Sequence, residues 1–301
     1  MDSERKVLVC LATSPSGTAV AKEGLRFASL LGATPAFLNV GQDTHDRRRT
    51  LMELIENAGK KDLEEHALLI RPGNPYSIIA AAAAELRAEM IILGALNRDP
   101  TWARVWGSVA RKIARRAPCS VLLLSCASPH RAGDRVVVGI GFDVQSAAAM
   151  PTILHIARES HSDSIHFVRE FPNLENRWEE EDRARIPLAS EERLLIRQKA
   201  EQQLLADFLS GYDLSGLNIR IAALAGREGM EVVAYARRQR ADLVILPVAR
   251  RRLTIWDRFF RHPLESVLMD LPCALLLQRP SQTDVLAKVA SETRRQPAKD
   301  K

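Results

Sequence analysis

One stretch of this chain is written twice. Arg87-Ala88-Glu89-Met90-Ile91-Ile92-Leu93 returns as Arg240-Ala241-Asp242-Leu243-Val244-Ile245-Leu246, at an offset of 153. Ala117-Pro118-Cys119-Ser120-Val121-Leu122-Leu123-Leu124 returns as Leu271-Pro272-Cys273-Ala274-Leu275-Leu276-Leu277-Gln278 at an offset of 154, as does Trp102-Ala103-Arg104-Val105-Trp106 in Trp256-Asp257-Arg258-Phe259-Phe260. A single inserted residue separates the two offsets, so the 301 residues read as a duplication. Two units of about 150 residues each are also the ordinary size of a domain with its own core.

Within the first copy, short apolar runs alternate with helix-like segments. The runs are Val7–Leu11, Ala36–Val40, Ala67–Ile70, Met90–Leu93 and Ser120–Leu124, and the helices fall near Val20–Leu31, Arg47–Ala58, Tyr76–Arg87 and Ser108–Arg116. Strands that are apolar on both faces must be covered on both faces, which is the mark of a parallel sheet between helix layers. The second copy repeats the order with strands at Val136–Ile140, Ser164–Val168, Ile219–Ala223, Leu243–Leu246 and Ala274–Leu277. Its helices lie near Ala147–Arg158, Glu191–Leu209, Gly229–Arg240 and Pro263–Asp270. The expected fold class is therefore α/β, with two tandem open, five-stranded parallel sheets. The domains are expected at 1–126 and 135–279, with a linker at 127–134 and a basic mobile tail at 280–301 that holds six basic and three acidic residues counted from Arg279. The acidic excursion Glu170 to Ser190, bracketed by Pro172 and Pro187, reads as a solvated loop, with Trp178 the one residue favouring a binding lid.

Composition narrows function more than fold. A hydrophobic fraction of 46% with 27% charged residues excludes disorder, collagen and a coiled coil as descriptions of the whole. Apolar runs such as Ile78–Ala84 fall well short of the ~20 residues that span a bilayer, so no membrane insertion is expected. Met1 to Lys6 leads straight into a strand rather than a signal-peptide core, and the expected location is cytoplasmic. Cys10, Cys119, Cys126 and Cys273 show no CxxC spacing, and the seven histidines have no partner at i+3 or i+4, so neither redox nor metal chemistry is indicated. The net charge of +6 favours anionic partners without calling for nucleic acid.

Chemistry concentrates at Ala88-Glu89-Met90-Ile91-Ile92-Leu93-Gly94, followed by Asn97 and then, after nine intervening residues, Gly107-Ser108-Val109. Glycine at a strand end lets backbone N–H groups approach a phosphate, and Gly-Ser opening a helix offers amides at the positive end of its dipole. With Pro118-Cys119-Ser120-Val121 starting the last strand, this arrangement closely resembles the universal stress protein family, in two tandem copies. The resemblance implies a Rossmann-like, adenine nucleotide alpha hydrolase-like fold with pseudo-twofold symmetry between the copies. It also implies an ATP site, with Mg accompanying the nucleotide, formed by Leu11, Ala12, Val40, Leu93, Gly94, Asn97, Gly107, Ser108 and Val109. Relatives of this kind pair through their final strands, so Ser120–Leu124 and Ala274–Leu277 are expected to meet as an internal pseudo-dimer, with a homodimer of the whole chain left open.

This chain departs from the family pattern at several of those places. Ala12 stands where the family usually has aspartate, and Asn97 replaces the middle glycine. In the second copy Gly141 replaces the aspartate, Pro247 and Arg250 replace glycines, and Arg261-His262-Pro263 replaces Gly-Ser-Val. Proline removes an N–H donor, so the second copy is expected to serve structure and partner binding rather than the family's nucleotide chemistry. Both loops are basic, with Arg98, Arg104, Arg111, Lys112, Arg115 and Arg116 in one and Arg250, Arg251, Arg252, Arg258 and Arg261 in the other. A solvated charged face over Trp102, Trp106 and Trp256 explains them, and so does a patch for an anion or a protein partner. Gly73 and Gly226 read as turn glycines. The leading expectation is a non-catalytic stress-response protein with at most one adenine-nucleotide site, in its first half. A nucleotide-free scaffold that docks on a protein or transporter, and a weak ATPase using Ser108, are the alternatives.

Overall fold

The computed structural model describes residues 4–14, 16–94, 107–125, 131–172, 189–249, 267–268, 271, 273–281, 284–286 and 288. Strands β1 (Lys6–Cys10), β2 (Thr34–Val40), β3 (Leu68–Arg71), β4 (Met90–Gly94) and β5 (Ser120–Leu124) alternate with helices α1 (Gly17–Leu30), α2 (His45–Asn57), α3 (Pro75–Glu85) and α4 (Ser108–Arg116). The second half supplies β6 (Arg135–Gly139), β7 (Ser164–Phe171), β8 (Ile219–Ala225), β9 (Leu243–Pro247) and β10 (Ala274–Gln278), with helices α5 (Val144–Glu159), α6 (Ala189–Leu209) and α7 (Met230–Arg238). The helix expected at Pro263–Asp270 lies outside the described residues except for Val267 and Leu268.

All ten strands join one sheet, in the order β3-β2-β1-β4-β5-β10-β9-β6-β7-β8. Every pairing is parallel except β5 with β10, which is antiparallel. Its register sets Leu122 opposite Leu276, with Val121 opposite Leu277 and Leu123 opposite Leu275. Leu122 and Leu276 are repeat equivalents at the offset of 154, so the pseudo-twofold axis passes through this pair. The final strands meet as expected, and their edge pairing joins the two five-stranded halves into one sheet.

Alternation along the strands builds two cores. Val7, Val9, Met90 and Ile92 face α1 and α2, whereas Leu8, Ile91 and Leu93 face α3 and α4. Both layers cross the seam: Leu122 and Leu276 belong to the first, and Val121, Leu123, Leu275 and Leu277 to the second. Helix starts are set by local chemistry: Asn74 caps α3 ahead of Pro75, and Asp143 caps α5, accepting from Ser146 N at 2.7 Å. Gly73 (φ 136°) and Gly226 (φ 157°) hold the left-handed turns after β3 and β8, as their sequence positions suggested.

Two junctions carry contacts among the described residues. The described end of the linker is locked down: Asp242 accepts from Gly133 N and Arg135 N, both at 2.7 Å, and Arg26 donates to Ala132 O. The basic tail, expected to be mobile, begins as a helical turn over Asp284–Leu286. Ser281 and Asp284 cap that turn reciprocally, at 3.0 Å in each direction, and Lys288 Nζ lies 5.2 Å from the Tyr212 ring centre. Residues 126–130 of the linker, Cys126 included, lie outside the described residues; Cys119 and Cys273 are buried and Cys10 is half-buried. Among the described residues, no helix is long and apolar enough to cross a membrane, and no group of acidic, cysteine and histidine side chains could hold a metal ion.

Candidate functional site

In an open parallel sheet, a crevice forms outside the carboxyl ends of the strands where the chain order reverses. Here that happens twice, between β1 and β4 and between β6 and β9.

At the first switch point, Leu11 and Ala12 follow β1, Val40 closes β2, and Leu93-Gly94 closes β4. Register places these strand ends side by side, with Cys10 beside both Leu38 and Leu93. Gly107 is the N-cap of α4 without a side-chain hydrogen bond, and Ser108 and Val109 open the helix. Asn97 lies outside the described residues, as do Arg98, Arg104, Trp102 and Trp106. Two residues at this edge were not picked out from the sequence. Asn39 is buried, donates to Leu11 O at 2.8 Å, and has no partner for Oδ1 among the described residues. Arg47 lays its guanidinium against Gly41, donating to Gln42 O at 2.9 Å, where a Cβ on Gly41 would come within 1.9 Å of Nη1. A lone asparagine in an otherwise apolar strand was the signal for the first. Nothing local marked the second.

The second switch point holds a cavity of about 860 Å³, in the half whose loop departs furthest from the family pattern. Ile140 and Gly141 follow β6, Glu170 and Phe171 end β7, and Leu246 and Pro247 end β9; all six line it. The register β1–β2 against β6–β7 makes Glu170 the counterpart of Val40, so an apolar position in one copy is a carboxylate in the other. The sequence reading began a loop at Glu170. The strand instead continues to Phe171, because seven consecutive residues of β7 pair with β8.

Glu170 Oε2 accepts from Gly229 N at 2.9 Å and Oε1 from Val232 N at 2.8 Å, so its carboxylate caps α7. Burial pushes its carboxyl above the usual range, opposed by those two hydrogen bonds. Next to it, Arg169 stacks its guanidinium 4.8 Å from the Phe142 ring centre and donates to Ile140 O at 3.5 Å. Phe142 is held at φ 56°, a left-handed conformation unusual for an aromatic residue, and this turn presents Asp143 to cap α5. From the first half, Arg115 reaches the far side of the cavity together with Arg279. The buried Arg279 guanidinium donates to Cys119 O at 3.2 Å and to Ala114 O, closing the C-terminus of α4. The substituted residues Arg250, Arg261, His262 and Pro263 lie outside the described residues.

An α/β chain with paired switch-point crevices belongs to a large class of folds, and sequence comparison narrows it. Residues 4–125 match the model of the universal stress protein family. A Staphylococcus aureus protein named as a universal stress protein is 37% identical over 73 residues; the aligned segment covers 24% of this chain and 42% of that relative. A Pseudomonas aeruginosa protein described as functionally unknown shares the fold at TM-score 0.63 and 17% identity, covering 97% of this chain and 98% of that one. A universal stress protein from Archaeoglobus fulgidus does so at TM-score 0.61 and 14% identity, covering 93% and 100%.

Proposed function

We propose that this chain is a non-catalytic, cytoplasmic regulatory protein whose first half binds an adenine nucleotide, ATP with Mg, at the carboxyl edge of β1, β2 and β4. Leu11, Ala12, Val40, Leu93, Gly94, Asn97, Gly107, Ser108 and Val109 form the site, and the second half, linked through residues 127–134, completes the sheet. The observation that carries this reading is the opening of α4. Gly107 leaves the first-turn amides without a side-chain cap, at the same sheet edge as Gly94. Those amides and the helix dipole suit a phosphate group, and the strand-end glycine allows its close approach. Val40, half-buried at the end of β2, offers an apolar contact to the flat face of a base. When bound, the nucleotide supplies charge at the helix end; the chain's own residues bind and orient it. Neither Ala12 nor Val109 offers a proton acceptor for attack on a phosphate, which favours binding over hydrolysis.

Calorimetric titration of the full chain with Mg-ATP tests this. About one site per chain, lost in Gly107→Arg, is the expected result. No heat at millimolar ligand overturns the reading, as does an unchanged isotherm in Gly107→Arg.

A further inference from the structure

The pairing of β5 with β10 inside one chain uses up the final-strand edges, so an association between chains needs another surface. Helix α6 offers one. Its inner face is anchored: Leu205 and Leu209 are buried, Arg197 lies 5.4 Å from the Phe171 ring centre, and Gln198 Nε2 donates to Ala223 O at 2.9 Å. The face opposite a packed one is ordinarily polar. Here Ile196 and Leu204 are 62% and 53% exposed. They share one outward stripe with Arg193, Ala200, Gln203 and Asp207, at helical spacings of three and four, and all six residues are exposed.

This stripe complements itself when one helix is reversed against another. In an antiparallel pair that crosses at Ala200, residues equally far from Ala200 on either side lie level with each other. Ile196 and Leu204 are each four residues away, and Arg193 and Asp207 each seven. The apolar side chains therefore meet each other, and each of these charges meets its opposite. A parallel pair would instead set Arg193 against Arg193 and Asp207 against Asp207, which like-charge repulsion disfavours. Alanine at the crossing lets the two helix axes approach to about 8 Å. From Arg193 to Asp207 the stripe runs about 21 Å, and a contact of that length buries less than the ~1,200 Å² of a tight complex, as befits a reversible one.

We propose that α6 is a self-association surface, on which a second molecule of this chain docks its own α6 antiparallel across a twofold axis at Ala200. Ile196 packs beside Leu204 of the partner subunit, and Arg193 pairs with Asp207 of the partner subunit. The surface lies in the other half from the nucleotide reading and does not rest on it.

Analytical ultracentrifugation of the full chain over a concentration series reads the equilibrium. A monomer–dimer equilibrium with Kd on the order of 50 µM is expected from an interface of this size. Ile196→Gln combined with Leu204→Gln should weaken it about tenfold or more, with the thermal midpoint of the dilute chain held, because both positions face outward. Arg193→Glu should weaken it about fivefold, and adding Asp207→Arg should bring it back to within about twofold of wild type, since both pairs are then reversed together. Gly107→Arg should leave it unchanged, which separates this proposal from the nucleotide site. A chain that stays monomeric up to about 0.5 mM overturns the proposal. So does a dimer that survives Ile196→Gln with Leu204→Gln, or one that the paired charge reversal fails to restore. A monomer that floats with anionic lipid vesicles makes the stripe a membrane contact and overturns it as well.

Discussion

Asp242 provides a stability test tied to a single carboxyl. It sits at the start of β9, 2% exposed, with each oxygen accepting a backbone N–H at 2.7 Å, from Gly133 and from Arg135. Burial pushes its carboxyl up to about 6 from an ordinary 3.8, against the pull of those hydrogen bonds. A folded-state carboxyl raised in this way binds its proton more tightly than the unfolded chain does. Its ionisation therefore opposes folding above about pH 6, and that penalty fades as pH falls towards 3.8. At 1.36 kcal/mol per pH unit the full effect is about 3 kcal/mol. The comparison is between wild type and Asp242→Asn, by urea unfolding at intervals from pH 7.5 to 4.5. The amide leaves one N–H facing an N–H, a pH-independent loss of about 1–3 kcal/mol. On top of that offset, wild type should gain about 2 kcal/mol relative to the variant between pH 7.5 and 4.5, the rest of the shift being released only below that window. Parallel profiles would refute the reasoning, as would a wild type that loses ground to Asp242→Asn on acidification.

The seam yields a second prediction. Leu122→Ala and Leu276→Ala each remove a fully buried side chain and should cost about 2–5 kcal/mol in denaturant melts. The two residues face each other at the pseudo-twofold axis, so the double variant should depart from additivity by about 0.5 kcal/mol or more. Arg279→Met keeps apolar bulk but strips the donors from Ala114 O and Cys119 O, and should lower stability by about 1–3 kcal/mol with little effect on Mg-ATP binding.

Legibility in the sequence followed the range of the interaction. Apolar runs such as Met90–Leu93 and Ser120–Leu124 reveal their strands directly, because a strand buried on both faces can carry little else. β7 shows the limit of that signal. His166, Arg169 and Glu170 break its apolar pattern, and only the seven-residue pairing with β8 carries it to Phe171. In the first half, Gly94 was legible as a strand end and Gly107-Ser108 as a helix start, because their spacing lies along one loop. Arg47 over Gly41 was not, because it depends on how α2 packs.

By itself, the sequence determined the duplication, the order of strands and helices, and the turn glycines at 73 and 226. Each is a local pattern or a comparison of the chain with itself. Tertiary structure decided that the two copies merge into one ten-stranded sheet, that the large cavity lies in the second half, and that Glu170 turns back to cap α7. It also decided that Asp242 and its repeat equivalent Glu89 part ways. Glu89 pairs with Arg5 at 2.7 Å on the surface, while Asp242 is buried against backbone 107 and 109 residues away. The physical reason is that a side chain's partners, solvation and charge state are set by what the fold brings against it, and those neighbours lie far along the chain.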